Sequence, residues 1–134
     1  MKKSLGVLIM LSCFFFSSFI VTLANPVAPK KTPELLAQGK KLFEQNCSPC
    51  HGPNGDGKGP VGAALKPSPN DFTKPLKDWP TTKGDPNKIF EVISKGIPNS
   101  GMLKWDQLPE QDRWALTYRV IDFAPAPKTP TKKK

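Results

Sequence analysis

Apolar residues recur at helical spacing in three segments of the chain. At the start of the first segment, Thr32 is a capping residue and Pro33 suits the first turn of a helix. The apolar positions that follow fall on one face of this helix: Leu35, Leu36, Gly39, Leu42 and Phe43. The pattern therefore predicts a helix that begins at Pro33 and leads the chain to Cys47.

Two further segments have the same periodicity. Asp85 can cap a helix that Pro86 opens and Gly96 ends, with inward positions at Ile89, Phe90, Val92 and Ile93. The last helix is predicted to run from Pro109 to about Asp122. Its buried face is predicted to consist of some combination of Trp114, Leu116, Tyr118, Val120 and Ile121.

No segment alternates between apolar and polar residues over a useful length, so the domain is predicted to be all-α with three main helices and long loops. We expect Gly39 to lie where the first and last helices cross, against Trp114 or Tyr118, because glycine lets a second backbone approach. Residues 52–62 hold five glycines, and residues 66–83 are rich in proline, lysine and threonine. Loops of this length need something to hold them, and a large apolar cofactor would do so.

The two ends of the chain differ from its middle. Lys2 and Lys3 precede an apolar stretch over residues 5–23, so residues 1–24 are predicted to be a signal peptide or an uncleaved membrane anchor. Residues 25–32 form a linker, residues 33–123 the folded domain, and residues 124–134 a flexible tail rich in proline and lysine. Whether the leader is cleaved or kept, the domain is expected on the far side of the membrane, soluble or anchored by residues 5–23, which in a bacterium means the periplasm and the inner membrane.

The net charge of +9 does not describe the domain itself. Eight of the twenty basic residues lie outside residues 33–123, whereas all eleven acidic residues lie inside. The domain is therefore nearly neutral, and its basic ends can act as a nonspecific tether to anionic surfaces. Nucleic-acid binding is not expected, because the lysines have no interleaved aromatic residues.

The run Cys47-Ser48-Pro49-Cys50-His51 carries the chemistry of the chain. Two thiols at this spacing can bond to the vinyl groups of a haem, and the adjacent histidine then becomes an axial ligand of the iron. Structural zinc needs four ligands, and the chain has no other histidine and no other cysteine outside the leader, where Cys13 lies. A thioredoxin-like dithiol would need the first cysteine at a helix N-terminus, and a disulfide would leave His51 unexplained.

Few residues in this sequence are candidates for the second axial ligand of the iron. A haem with one histidine takes a thioether, a second histidine or a thiolate, or it keeps an open position. Met1 and Met10 lie in the leader, so Met102 is the one methionine left, in a loop bounded by glycine and proline. Core filling is the alternative role for a methionine beside Leu103 and Trp105.

With these motifs in this order, residues 33–123 resemble the class I monohaem cytochromes c of bacteria. Gly59-Pro60 is similar to the loop element whose proline carbonyl accepts the Nδ1 proton of the histidine, so the resemblance implies that Pro60 orients His51. Residues 96–102 look like the methionine loop, and residues 114–123 like the C-terminal helix. Two positions depart from the family pattern. Leu103 replaces a common proline, and no serine or threonine caps the last helix.

These observations predict a one-electron carrier with one covalent haem c, bonded through Cys47 and Cys50 and ligated by His51 and Met102. A His/Met pair leaves no open position for a substrate, and no acid/base pair lies beside a pocket, so the chain is not expected to be an enzyme. Trp79 and Trp105 can each donate an indole N–H to a haem propionate, although both also fit a plain core role.

The predicted place of this carrier is a respiratory chain, between a quinol-side donor and a terminal acceptor. One alternative is a subunit that shuttles electrons within a membrane oxidoreductase complex. Another is a peroxidase-like haem enzyme or a gas sensor, either of which requires an open position on the iron.

Overall fold

The computed structural model describes residues 27–126, and over this range it is helical with no strand. The four α-helices are α1 (Pro33–Asn46), α2 (Ser48–His51), α3 (Pro86–Lys95) and α4 (Glu110–Ile121). Two short 3₁₀ turns, Gly62–Ala64 and Leu76–Asp78, interrupt the long loops between α2 and α3. The all-α prediction is confirmed, and the three main helices are α1, α3 and α4.

The helix ends follow from side-chain caps that the sequence contains. The Thr32 side chain accepts a hydrogen bond from the Leu35 N–H, and the Asp85 side chain accepts from the N–H groups of Asn87 and Lys88. These bonds satisfy donors that the first turn of a helix leaves unpaired. At the start of α4, Pro109 offers no side-chain cap. The first turn of α4 is instead closed by the backbone, because the carbonyl oxygen of Pro109 accepts from the N–H groups of Asp112 and Arg113.

α1 packs against α4 at Gly39. A Cβ atom at this position would collide with the carbonyl oxygen of Ala115 and lie 3.2 Å from the Cβ atom of Arg119. The crossing therefore involves Ala115 and Arg119, and the prediction of Trp114 or Tyr118 at this point is wrong by one position on α4. Ala115 suits the crossing because its small side chain permits the close backbone approach that Gly39 requires.

Trp114 belongs to the other side of α4, where α3 packs. Its indole stacks on the ring of Phe90 with 4.4 Å between centroids, and only 1 % of its surface is exposed. The core that joins the three main helices consists of further buried apolar residues: Leu35, Leu42, Phe43, Ile89, Ile93, Ala115, Leu116 and Val120. A stacked aromatic pair such as Phe90 and Trp114 stabilises a fold beyond the area that it buries.

The predicted linker is held against the domain in the part that the structure describes, residues 27–32. Pro29 and Lys31 contact the C-terminal part of α4, through the Tyr118 hydroxyl and the Asp122 carboxylate. The composition of this segment, rich in proline and lysine, predicts a free linker, but both contacts come from side chains distant in sequence. Within residues 27–126 no helix is both long and apolar enough to cross a membrane. The predicted leader, residues 1–24, and most of the predicted tail lie outside the described residues.

Candidate functional site

The domain contains a cavity, and the Cys-x-x-Cys-His run contributes to its lining. The Cys47 N–H donates to the carbonyl oxygen of Phe43 at the end of α1, and the His51 N–H donates to the carbonyl oxygen of Cys47 at 2.8 Å. The chain thus continues from α1 into the single turn of α2 without an intervening loop. This tight connection brings Cys47, Cys50 and His51 to the lining of a cavity of about 410 Å³.

Met102 lies in another part of the same cavity lining, within the loop that follows α3. Its carbonyl oxygen accepts a 3.1 Å hydrogen bond from the Ile97 N–H, and its own N–H donates to the Ser100 hydroxyl at 3.1 Å. The backbone N–H of Trp105 donates to the carbonyl oxygen of Ile93, and this bond fixes the far end of the loop to α3. The methionine backbone is therefore held from both sides.

The remaining lining of the cavity is largely apolar and comes from all three main helices and from the loops before and after α3. Its residues include Phe43, Ile89, Ile93, Leu116 and Val120. A volume of about 410 Å³ lies in the usual range of cofactor and ligand sites, which is ~300–1,000 Å³. Two thiols, one imidazole and one thioether around a single apolar cavity match the donor set and the flat hydrophobic surface of a haem c.

The chemistry of the two cysteines does not suit a redox-active dithiol. Burial, and to a lesser extent the neighbouring Cys50, raises the pKa of the Cys47 thiol to about 12. Redox-active pairs instead have a lowered thiol pKa, because the thiolate is the attacking species. No disulfide bond joins Cys47 to Cys50. Among residues 27–126, no group of three or more histidine, cysteine or acidic side chains is placed to hold a metal ion such as zinc.

His51 is oriented by a different acceptor from the one predicted. Its Nδ1 atom lies 3.4 Å from the carbonyl oxygen of Asn70. Pro60, the predicted acceptor, is exposed and does not line the cavity. The neighbouring residues explain this difference, because the Gly59 N–H donates to the Cys50 carbonyl oxygen and thereby holds the loop against the backbone of the haem motif.

The protonation state of His51 favours metal binding. Burial lowers the pKa of the His51 imidazole, and the Asn70 carbonyl opposes this effect by favouring the protonated ring. The neutral imidazole is the form that binds a metal ion. With Nδ1 directed at Asn70, Nε2 is the nitrogen left for the cavity.

The two tryptophans of the predicted site both line the cavity, but they differ in their hydrogen bonds. The Trp79 Nε1–H donates to the carbonyl oxygen of Lys74 at 2.9 Å, so this indole is already satisfied by the protein. Of the two roles left open for Trp79, propionate donor and core residue, this hydrogen bond and its 1 % exposure favour the core role. Trp105 lines the cavity and is half-buried, and its role toward a propionate stays a prediction.

Two residues of the site were not found from the sequence. Asn70 supplies the carbonyl for His51, and Phe72 stacks on the His51 ring with 4.5 Å between centroids. The one local signal is Asp71, whose side chain accepts from the Thr73 N–H and so marks a turn. That turn predicts no contact with a residue about twenty positions earlier.

Comparison with protein families assigns the chain. The model of the family described as cytochrome c oxidase, cbb3-type, subunit III matches residues 34–118, which is more than half of the chain. The chain belongs to this family of c-type cytochromes. As a c-type cytochrome it carries covalently bound haem c and transfers electrons, and Cys47 and Cys50 have the spacing of the attachment site. The resemblance to class I cytochromes c is thereby confirmed.

A solved structure agrees with this assignment. The cytochrome is similar to a chain of the reducing HAO-like protein complex of Kuenenia stuttgartiensis, with a TM-score of 0.59 and 32% sequence identity. The match covers 74% of this cytochrome and 46% of that chain, so the cytochrome corresponds to less than half of the larger protein. None of the curated proteins compared with the cytochrome matches it.

Proposed function

We propose that this cytochrome is a carrier of single electrons whose haem iron is ligated by His51 and Met102. The observation that carries the proposal is the shared cavity, which both side chains line together with Cys47 and Cys50. When bound, the haem supplies an iron that changes between the ferric and ferrous states. The protein holds the cofactor by two thioether bonds and surrounds it with apolar side chains.

The proposed pair of ligands favours electron transfer over catalysis. A His51 imidazole and a Met102 thioether would together supply both protein ligands of the iron, and the thioether would raise the reduction potential. Backbone hydrogen bonds from Ile97 and Trp105 restrain the Met102 loop and so hold the methionine backbone beside the cavity that this residue lines. A site closed in this way leaves no position for peroxide, oxygen or another small substrate.

Substitution of Met102 tests this ligation. We expect Met102→Ala to keep its covalent haem, to have a lower reduction potential, and to bind carbon monoxide or cyanide readily. Lys104→Ala is the matched control, because Lys104 lies in the same loop and its exposed side chain pairs with Asp106. An unchanged potential and unchanged ligand binding in Met102→Ala would remove this residue from the iron.

We infer that the cytochrome works in the periplasm, between a quinol-side donor and a terminal acceptor of a respiratory chain. The support is the predicted leader over residues 1–24, with Lys2 and Lys3 on the cytoplasmic side. Cell fractionation together with an intact mass tests both parts of this inference. A mass that lacks the leader indicates a soluble carrier, and a full-length mass in the membrane fraction indicates an anchored one. Cytoplasmic protein without haem would contradict the location.

A subunit of an electron-transfer complex is the second candidate function. Two observations favour it: the family description names a subunit of an oxidase, and the similar solved chain belongs to a protein complex. In this case the cytochrome would pass electrons to a fixed neighbour and not to a diffusing partner. Mild detergent extraction followed by size separation tests the difference. Co-migration of the haem with a large complex supports a subunit, whereas free protein of about the mass of one chain supports a carrier.

A further inference from the structure

The proposed function leaves one side chain of the site without a role. Phe72 lines the cavity, and its ring stacks on the imidazole of His51 with 4.5 Å between centroids and 20° between planes. We propose that Phe72 is a positioning residue that sets the plane of the His51 ring. The inference rests on the proposed ligation of the iron by His51, and it adds a residue that the attachment motif does not contain.

The contact between His51 and Asn70 does not fix the imidazole by itself. The distance from Nδ1 to the carbonyl oxygen is 3.4 Å, longer than the ~2.7–3.2 Å of a typical N–H···O hydrogen bond. The second side-chain torsion of histidine has only broad minima, so a weak restraint at one nitrogen leaves the ring free to rock. A flat ring against one face of the imidazole restricts this rotation.

Phe72 can act in this way because its own position is determined from several sides. Its N–H donates a 2.7 Å hydrogen bond to the carbonyl oxygen of Gly55, in the glycine-rich loop that follows the haem motif. Its ring lies 5.2 Å from the ring of Trp79 and 6.5 Å from the ring of Phe123, measured between centroids. Trp79 is in turn fixed by its hydrogen bond to Lys74.

The backbone around Phe72 is also in direct contact with the glycine-rich loop. A Cβ atom at Gly57 would lie 2.7 Å from the carbonyl oxygen of Pro69 and 3.4 Å from that of Asn70. The segment that carries Asn70 and Phe72 therefore docks against the loop that leaves His51. Both restraints on the imidazole, the carbonyl and the stacked ring, come from this one docked segment.

The plane of an axial imidazole can be observed directly. In a ferric low-spin haem, the unpaired spin is distributed over the four pyrrole rings according to the orientation of the axial ligands. The proton NMR shifts of the haem methyl groups report this distribution. A change in the orientation of His51 therefore changes the pattern of methyl shifts, whether or not the rate of electron transfer changes.

The test compares two variants that each remove one stacked ring, Phe72→Ala and Phe90→Ala. Phe90 stacks on Trp114 between α3 and α4 and does not line the cavity. We expect both variants to lose stability, but only Phe72→Ala to alter the pattern of haem methyl shifts. Phe72→Leu, which fills most of the space without a flat face, is expected to alter the same pattern and decides the question if Phe72→Ala does not assemble.

Two results would overturn the inference: a wild-type shift pattern in the Phe72 variants, or an equal change in Phe90→Ala, which would indicate general loosening of the fold. Failure of the proposed function is recognised separately, in the wild-type protein. If its ferric form is high-spin or lacks the absorption band of a sulfur–iron bond, the His/Met ligation is wrong. A wild-type protein with that band and Phe72 variants without an altered pattern would contradict only the role of Phe72.

Discussion

The hydroxyl group of Tyr118, on α4, donates a 2.5 Å hydrogen bond to the carbonyl oxygen of Pro29, which precedes α1. Beside it, the Lys31 ammonium lies 2.6 Å from an Asp122 carboxylate oxygen and 5.7 Å from the centre of the Tyr118 ring. These contacts attach residues 29–31 to the C-terminal part of α4. Residues 29–31 are therefore held at a defined place on the domain.

Removal of the Tyr118 hydroxyl group should release this attachment. A hydrogen bond of this kind contributes about 0.5–1.5 kcal/mol net, so Tyr118→Phe is expected to speed tryptic cleavage after Lys30 or Lys31 by roughly 2- to 10-fold. Asp122→Asn, which weakens an exposed ion pair, should have a smaller effect. N-terminal sequencing of the products identifies the cleavage site. Equal cleavage rates in wild type and Tyr118→Phe would show that the segment is free in solution.

A second prediction concerns the crossing of α1 and α4. Gly39→Ala places a methyl group against the Ala115 carbonyl, and the resulting overpacking should lower the free energy of unfolding by about 1–3 kcal/mol. Ala37→Ser, at an exposed position of the same helix, should change it by less than about 0.5 kcal/mol. Denaturant unfolding followed by circular dichroism measures both. A Gly39→Ala protein as stable as wild type would mean that the helices do not approach closely.

The attachment of the cofactor can be tested with the cysteines. The double variant Cys47→Ser, Cys50→Ser has no thiol at the attachment site, so its denatured chain should carry no haem. Cys13→Ser removes the remaining cysteine, which lies in the predicted leader, and should retain the haem. Intact mass spectrometry after denaturation distinguishes the two. Haem that stays bonded to the double variant would place the attachment elsewhere.

Trp79 and Trp105 should respond differently to loss of the indole N–H. Trp79→Phe leaves the Lys74 carbonyl oxygen without its buried donor and should lower the free energy of unfolding by about 1–3 kcal/mol, with little change in potential. Trp105→Phe, in contrast, should shift the reduction potential if its indole donates to a propionate. Potentiometric titration and thermal unfolding of both variants provide the comparison. A larger potential shift in Trp79→Phe would reverse the assignment.

The helices were predictable because their signals are local. Thr32 and Asp85 cap the helices they precede, and the prolines that follow them are at helix-opening positions. α2 has no such signal, since a single turn within Cys-x-x-Cys-His is too short to show a period. The position of the crossing on α4 was wrong by one residue, because Trp114, Ala115 and Tyr118 are all buried or half-buried, and periodicity alone does not indicate which of them α1 contacts.

In the candidate site, too, local patterns were predictable and contacts between distant segments were not. The four residues proposed to bond or ligate the haem were predicted from their types and spacing, and the structure places all four in the lining of one cavity. The residues that orient them were not, because Asn70 acts through its backbone carbonyl, which any residue type provides. The stacking of Phe72 on His51 joins positions twenty-one residues apart across two loops. Contacts of this kind depend on how the loops dock, which a pattern along the chain does not contain.

The central claim is that His51 and Met102 close both sides of an iron that carries single electrons. An optical redox titration of the wild-type protein tests it most directly. The account predicts one reversible step with the slope of a one-electron couple, low-spin spectra in both states, and a sulfur–iron absorption band in the ferric state. A high-spin ferric spectrum without that band, together with binding of peroxide or carbon monoxide by the unmodified protein, would contradict it.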